Sequence, residues 1–332
     1  MDVQYDILGI GNAIVDVIAH ADEAFLSREN IRKGSMTLVD EARAQGLFKV
    51  MGPATIMSGG SGANTIVGAS SFGVRTAYFG KVRNDDTGRL FSHDIRAMGV
   101  HFPTDPAKTG ASTARCFVIV TPDGERTMST YLGACQNLTS ADMDEKIIEA
   151  SAFTYLEGYL WDPPAAKEAF LKASGIAHRA GRRVALTLSD SFCVDRYRSE
   201  FLALIKSRAV DIVFANQHEL KALYQTADFA TAVLALREDD LLGIVTCSAE
   251  GSLVVTKGSV EAVPAFVVER VVDTTGAGDL FAAGFLSGLA KKKDHVMCAR
   301  LGALAASEII QHLGARPSVN LRDLANENGL VL

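Results

Sequence analysis

The chain has 332 residues, of which 48 % are hydrophobic and 22 % charged, with a formal net charge of -6. That length can bury a large core, as one big domain or two ordinary ones, and the acidic balance argues against broad binding to nucleic acid or to an anionic membrane, because both need a cationic footprint. Cys116, Cys135, Cys193, Cys247 and Cys298 are scattered without CxxC spacing, which fits reduced thiols better than disulfides or a zinc site. With no secretory signal and no apolar stretch of about 18 residues or more, a cytoplasmic protein is expected.

The first short apolar run, residues 7–10, leads into Gly9-Ile10-Gly11-Asn12-Ala13-Ile14-Val15-Asp16. Its start imitates a dinucleotide fingerprint, but Ile14 stands where the third glycine belongs, so a nicotinamide-dependent dehydrogenase is a remote alternative. Asn12 and Asp16 are better suited to accept sugar hydroxyls. Residues 15–40 and 112–132 read as antiparallel strands that pair as a small sheet. Between them comes Ser58-Gly59-Gly60-Ser61-Gly62-Ala63-Asn64-Thr65, opening a helix over 65–72. Taken alone, such a turn is more often a flexible connection with a helix cap. In the second strand segment, Asp123-Gly124 separates two β-rich arms and signals a hairpin, with Arg126 starting its second arm.

Further on, apolar runs at 77–79, 153–156, 184–188, 212–214 and 242–245 alternate with stretches of helical spacing, such as 166–177 with Ala169, Phe170, Ala173 and Ile176 on one face. Buried-looking strands alternating with helices predict a doubly wound, mainly parallel sheet covered on both sides. There is no Pro/Gly/Ser-rich linker, so residues 1–332 are read as a single domain with the small sheet inserted as a lid. Tyr159, Leu160 and Trp161 form an aromatic stretch that suits either the core or a flat ligand.

The strongest chemical signal is Asp273-Thr274-Thr275-Gly276-Ala277-Gly278-Asp279, directly ahead of a helical apolar segment. A glycine turn opening onto a helix N-terminus makes an anion site, because first-turn N–H groups lack partners and the dipole is positive there. Gly276 and Gly278 let an anion approach the backbone. Asp279 could simply complement the dipole. Beside a bound phosphate, though, it could also take the proton of an attacking hydroxyl.

These strings, in this order, resemble those of the ribokinase-like, PfkB-type carbohydrate kinases, over nearly the whole chain. GIGNAIVD and GGSGANT resemble the adenosine kinase members in particular. The resemblance implies a kinase using ATP and magnesium to phosphorylate the primary hydroxyl of a ribose-type substrate, adenosine first. A sugar kinase acting on ribose, fructose or 2-keto-3-deoxygluconate is the alternative. A non-catalytic nucleoside sensor is more remote, since a binder would not need Asp279. By position, Asp279 resembles the base, and Gly276, Ala277 and Gly278 the anion hole. Arg126 matches a lid arginine reaching the phosphates. Asn12, Asp16, Gly60 and Asn64 resemble ribose contacts, with Met36, Tyr159 and Leu160 near the base. Asn216 and Glu219 match an N-x-x-E element near magnesium and phosphate. Thr246, Ser248 and Gly251, with the segment 312–318, resemble the wall around ATP. Asp273, Thr275, Gly314 and Ser318 match a monovalent-cation site, which would take potassium. The expected partner is a small molecule, and the expected state a monomer or homodimer, since an exposed lid strand could pair with another copy.

Overall fold

The computed structural model describes residues 2–332. Its strands, in chain order, are β1 (Tyr5–Ile10), β2 (Ile14–His20), β3 (Met36–Leu38), β4 (Ala54–Gly59), β5 (Thr76–Phe79), β6 (Val100–His101), β7 (Ala114–Val120), β8 (Arg126–Tyr131), β9 (Ser151–Glu157), β10 (Arg183–Thr187), β11 (Ile212–Asn216), β12 (Leu242–Thr246), β13 (Ser252–Val255) and β14 (Val260–Val263). A 9-stranded sheet runs β14-β13-β12-β11-β10-β9-β1-β5-β6, parallel except where β13 and β14 turn back. Both faces are covered, which is why these strands read as continuous apolar runs. In β11, Ile212 and Phe214 join one core while Val213 and Ala215 join the other. Helices Ser61–Ser71, Ala277–Ala290 and His295–Ile309 line the first core; Pro164–Arg179, Ser191–Lys206 and Gln217–Tyr224 line the second. This is the doubly wound arrangement expected. Among the described residues, no helix is long and apolar enough to cross a membrane.

A second, 5-stranded sheet has the order β3-β8-β7-β2-β4. The segments 15–40 and 112–132 contribute to it, but the pairing differs from the expectation. Only β7 and β8 form the predicted hairpin; β2 lies parallel to β7, with Asp16 opposite Cys116. A period-two pattern looks the same in either direction, so it could not reveal this. Nor is 15–40 continuous strand, because Glu23–Arg28 forms a helix whose cap Asp22 accepts the Phe25 N–H at 2.8 Å. The sheet also gains β4, which pairs antiparallel to β2. The first residues of β4, Ala54 to Ile56, are exposed, so the strand carries no buried run to betray it.

Two features bring the sheets to one place. β1 passes into β2 through residues 11–13, and β4 passes into the Ser61–Ser71 helix through Gly60 alone. That helix and Ala277–Ala290 touch at Gly68, where a side chain would come within 2.6 Å of Leu280 Cδ1. Their N-terminal turns also meet, Ser61 Oγ donating to Asp279 at 2.6 Å. β1 sits between β5 and β9 and the chain leaves to opposite sides of it. The carboxyl ends of β1 and β9 thus flank a topological switch point, where open α/β sheets form crevices.

Candidate active site

The glycine turn 273–279 enters its helix through Gly276, whose φ of 79° favours glycine. The Ala277 N–H is held by the Thr274 carbonyl at 3.2 Å, so of the predicted anion-hole residues Ala277 closes the turn. A side chain added at Gly278 would meet nothing within 4 Å. First-turn N–H groups at Gly278 and Asp279 have no intrahelical acceptor, and they open on that space at the positive end of the dipole. Half-buried Asp279 accepts from Ser61 Oγ at 2.6 Å and Asn64 Nδ2 at 3.0 Å. Burial raises its pKa, while those two hydrogen bonds and the charge of Arg316 pull it down. The carboxylate is thus fixed in direction and made more basic than an exposed one.

Beside it lie further polar groups. Asn64 Oδ1 is buried without a partner, an acceptor left for a hydroxyl. Asp16, half-buried on β2, has its pKa pushed up to about 6 by burial, against the nearby positive charges of Arg316 and Arg126. A Cβ at Gly59 would fall on the Asp16 carboxylate, and one at Gly60 on the Asn12 carbonyl. Asn12, 2 % exposed, gives its backbone N–H to Glu157 at 3.0 Å and its amide Nδ2 at 2.7 Å. Glu157 also accepts the Gly62 N–H at 2.8 Å.

Glu157 ends β9 and is 1 % exposed. Burial pushes its pKa up to about 7, partly offset by the bonds from Asn12 and Gly62. It joins both glycine-bearing turns of the acceptor side. Sequence reasoning missed it, although a single acid closing an apolar run is a signal that could have been followed. Arg316 was missed as well. Its guanidinium donates to Ser58 O at 3.1 Å, Ser58 Oγ at 3.0 Å and Ala63 O at 2.7 Å. Within the segment 312–318, expected to wall in ATP, this side chain bonds the turn 58–63.

Arg126 starts β8 and reaches Asp273 at 2.9 Å, the two side chains being 8 % and 3 % exposed. It is no surface hairpin charge. Its Nε is buried without a partner, as a donor kept for an anion would be. Asp273 also accepts the N–H groups of Thr275 at 3.0 Å and Gly314 at 3.2 Å. Ser318 is turned to Glu308, its N–H at 2.8 Å and its hydroxyl at 2.6 Å. Three of the four residues expected around a monovalent cation, Asp273, Thr275 and Gly314, are thus bonded together, while Ser318 bonds to Glu308.

Asn216 and Glu219 form a capping box: Asn216 accepts the Glu219 N–H at 2.9 Å and gives its own N–H to Glu219 at 3.0 Å. Glu219 is buried rather than a solvated helix residue, and its pKa is pushed up to about 7 by that burial and by Asp190 and Asp279 nearby. Thr246 lies opposite Asn216 at the strand ends. Ser248 and Gly251, with φ of 51° and 97°, turn the chain towards β13. Met36 and Tyr159 are 44 % and 38 % exposed. Leu160 and Trp161 are core, 1 % and 3 % exposed, and the indole N–H donates to Glu200 at 2.9 Å. The expectation that Leu160 faces a ligand is corrected by this: the helical turn of 158–161 points it inward. Among the described residues, no group of three or more His, Cys, Asp or Glu is placed to hold a metal ion.

A carboxylate fixed beside an anion-binding helix start, next to unpaired acceptors for hydroxyls, can deprotonate an alcohol in front of a phosphate. The sequence matches the pfkB family carbohydrate kinase profile over residues 53–321. The fold is similar to that of adenosine kinase from Sinorhizobium meliloti, at 53 % identity and a TM-score of 0.93, covering 98 % of this chain and 100 % of that one. A probable sugar kinase from Rhizobium etli is 48 % identical with a TM-score of 0.94, covering 99 % and 100 %. Adenosine kinase of Anopheles gambiae, solved with P1,P4-di(adenosine-5) tetraphosphate, is 25 % identical with a TM-score of 0.81, covering 93 % and 96 %.

Proposed function

The chain belongs to the pfkB family of carbohydrate kinases, and on that premise we propose that it transfers the γ-phosphate of ATP to the primary hydroxyl of adenosine. It is a phosphotransferase acting on a hydroxyl group. The acceptor is supported by similarity to adenosine kinases along almost the whole chain. The observation that carries the chemistry is Asp279, aligned by Ser61 and Asn64 at the mouth of the anion hole. A free sugar is the second reading, favoured by the similarity to the probable sugar kinase and by the burial of Leu160, which removes one expected apolar wall.

In the mechanism, Asp16 and Asn64 Oδ1 accept hydroxyls of the acceptor and hold its primary hydroxyl against Asp279. Asp279 takes the proton as that oxygen bonds to the γ-phosphorus; the bond to the leaving ADP oxygen breaks in line. N–H groups at Gly278 and Asp279, with the unpaired Arg126 Nε, face the charge on the transferred phosphoryl. Magnesium, when bound, neutralises phosphate charge. Glu219 is the acid on hand near the hole, and with few protein ligands the ion would keep phosphate oxygens and water around it.

The test is a phosphate-transfer screen with adenosine, other nucleosides, ribose, fructose and 2-keto-3-deoxygluconate. Adenosine is expected to give the highest kcat/KM. 2′-Deoxyadenosine should be poorer by about tenfold or more, since losing the hydroxyl leaves a buried acceptor unpaired. Asp16→Ala should erase that discrimination. A higher kcat/KM for a free sugar would replace the acceptor and leave the phosphotransferase standing. Arg126→Ala should lower kcat by about tenfold or more and weaken adenosine binding much less. An unchanged kcat would leave Arg126 only its structural bond to Asp273.

A further inference from the structure

We propose that Arg316 is a positioning residue of the acceptor side: its guanidinium staples the two ends of the turn 58–63 and supplies the half-buried positive charge that faces Asp16 and Asp279.

The geometry of the staple is direct. Between Ser58 and Ala63 the chain runs Gly59-Gly60-Ser61-Gly62, a stretch that loses much conformational freedom on being ordered. It is also a joint, because β4 belongs to the smaller sheet while the helix from Ser61 packs on the larger one. The fork of Arg316 closes that joint, with the Ser58 carbonyl and hydroxyl on one side and the Ala63 carbonyl on the other. From the opposite direction the Ser58 N–H is held by Asp94 at 2.7 Å. The residue next to Ala63 is Asn64, which aligns Asp279. The residue next to Ser58 is Gly59, packed on the Asp16 carboxylate. Both ends of the staple therefore set a functional carboxylate. The neighbours of Arg316 extend the tie: the Gly314 N–H is on Asp273, and Ala315 would lie 2.9 Å from a Cβ at Gly276.

The charge acts from the same place: the bonds to Ser58 and Ala63 set the guanidinium next to Gly59, which packs on Asp16, and next to Asn64, which holds Asp279. Asp16, Asp94 and Asp279 face Arg316, with Tyr78 beside it. Arg126 and Cys116 also face Asp16. Tyr155, Glu157, Tyr159 and Glu219 lie around Asp279. Burial lowers the Arg316 pKa to about 10, so it remains a cation at neutral pH. Burial disfavours the ionisation of Asp279; Arg316 works the other way. Lysine would keep a charge there, but its point-like ammonium cannot hold both ends of the turn as a planar fork does.

The inference rests on the phosphotransfer reading, and the experiment keeps the two apart. Arg316→Met and Arg316→Lys are compared with wild type, using the acceptor that wild type phosphorylates best, so a wrong acceptor shows in wild type alone. In Arg316→Met the acid limb of the kcat/KM profile should move up by about one pH unit, since losing a nearby cation raises carboxylate pKa values. In Arg316→Lys the limb should stay near its wild-type position while the acceptor KM rises about tenfold. Amide exchange at residues 58–64 should quicken in both variants, a readout that needs no activity. A folded Arg316→Met with an unmoved acid limb would overturn the electrostatic role. If that variant does not fold, Arg316→Lys decides: unchanged KM and unchanged exchange at 58–64 would overturn the staple, and an acid limb displaced upward although the charge is kept would overturn the electrostatic role.

Discussion

Asp279→Asn is expected to lower kcat by at least about 10²-fold while ATP still binds. The substitution keeps size and shape but removes the proton acceptor. Asp279 receives the Ser61 hydroxyl at 2.6 Å and the Asn64 amide at 3.0 Å, so the replacement amide can keep one of these partners and stay in place. The N–H groups that hold phosphate are backbone and are untouched, which is why binding should survive. Measuring kcat beside the Kd for ATP separates the two. The wild-type pH profile belongs to the same argument. Asp279 is raised and Asp16 stands at about 6; both act as acceptors when ionised. The rate should therefore rise with pH through the region of about 6 and flatten above it. Near-normal turnover in the Asn variant would remove Asp279 as the base.

Glu157→Ala is expected to cost about 3–5 kcal/mol of folding free energy, together with most of the activity. The change strands the backbone N–H and side-chain amide of Asn12 and the N–H of Gly62, all buried. Each buried donor left unsatisfied costs about 1–3 kcal/mol. Activity falls because Asn12 and the start of the Ser61–Ser71 helix lose their common anchor. Urea unfolding beside kcat checks both halves. Stability equal to that of wild type would show that the Glu157 contacts are incidental.

The pH dependence has a definite sign. Glu157 is raised from its ordinary 4.5 to about 7, so the folded state binds more protons than the unfolded state between those values. Its contribution is complete below about 4.5 and is lost as pH rises through about 7. Glu157→Gln cannot titrate, so its stability difference from wild type should narrow from pH 5 to pH 8. A constant difference would mean that folding does not shift this group.

What could be read from the sequence is what neighbouring residues decide among themselves. The turn 273–279 and its helix are contiguous, so glycine placement, N-terminus and carboxylate are visible in one string. The central strands β1, β5 and β9 to β12 could be read because burial on both faces favours continuous apolar runs. The capping box at Asn216 was not read from the sequence, although its partner Glu219 lies one helical turn away. What only the tertiary structure decided are the partners of groups far apart in the chain. Glu157 meets Asn12 across 145 residues and Gly62 across 95; Arg316 meets Ser58 across 258. A lone buried acid or a C-terminal arginine has no local pattern that names its counter-group, because the pairing follows from the order of strands and the packing of two helices at Gly68. The same cause turned Leu160 into the core and Arg126 onto Asp273. Alternation and spacing give the face of an element relative to itself, and only packing sets which neighbour that face meets.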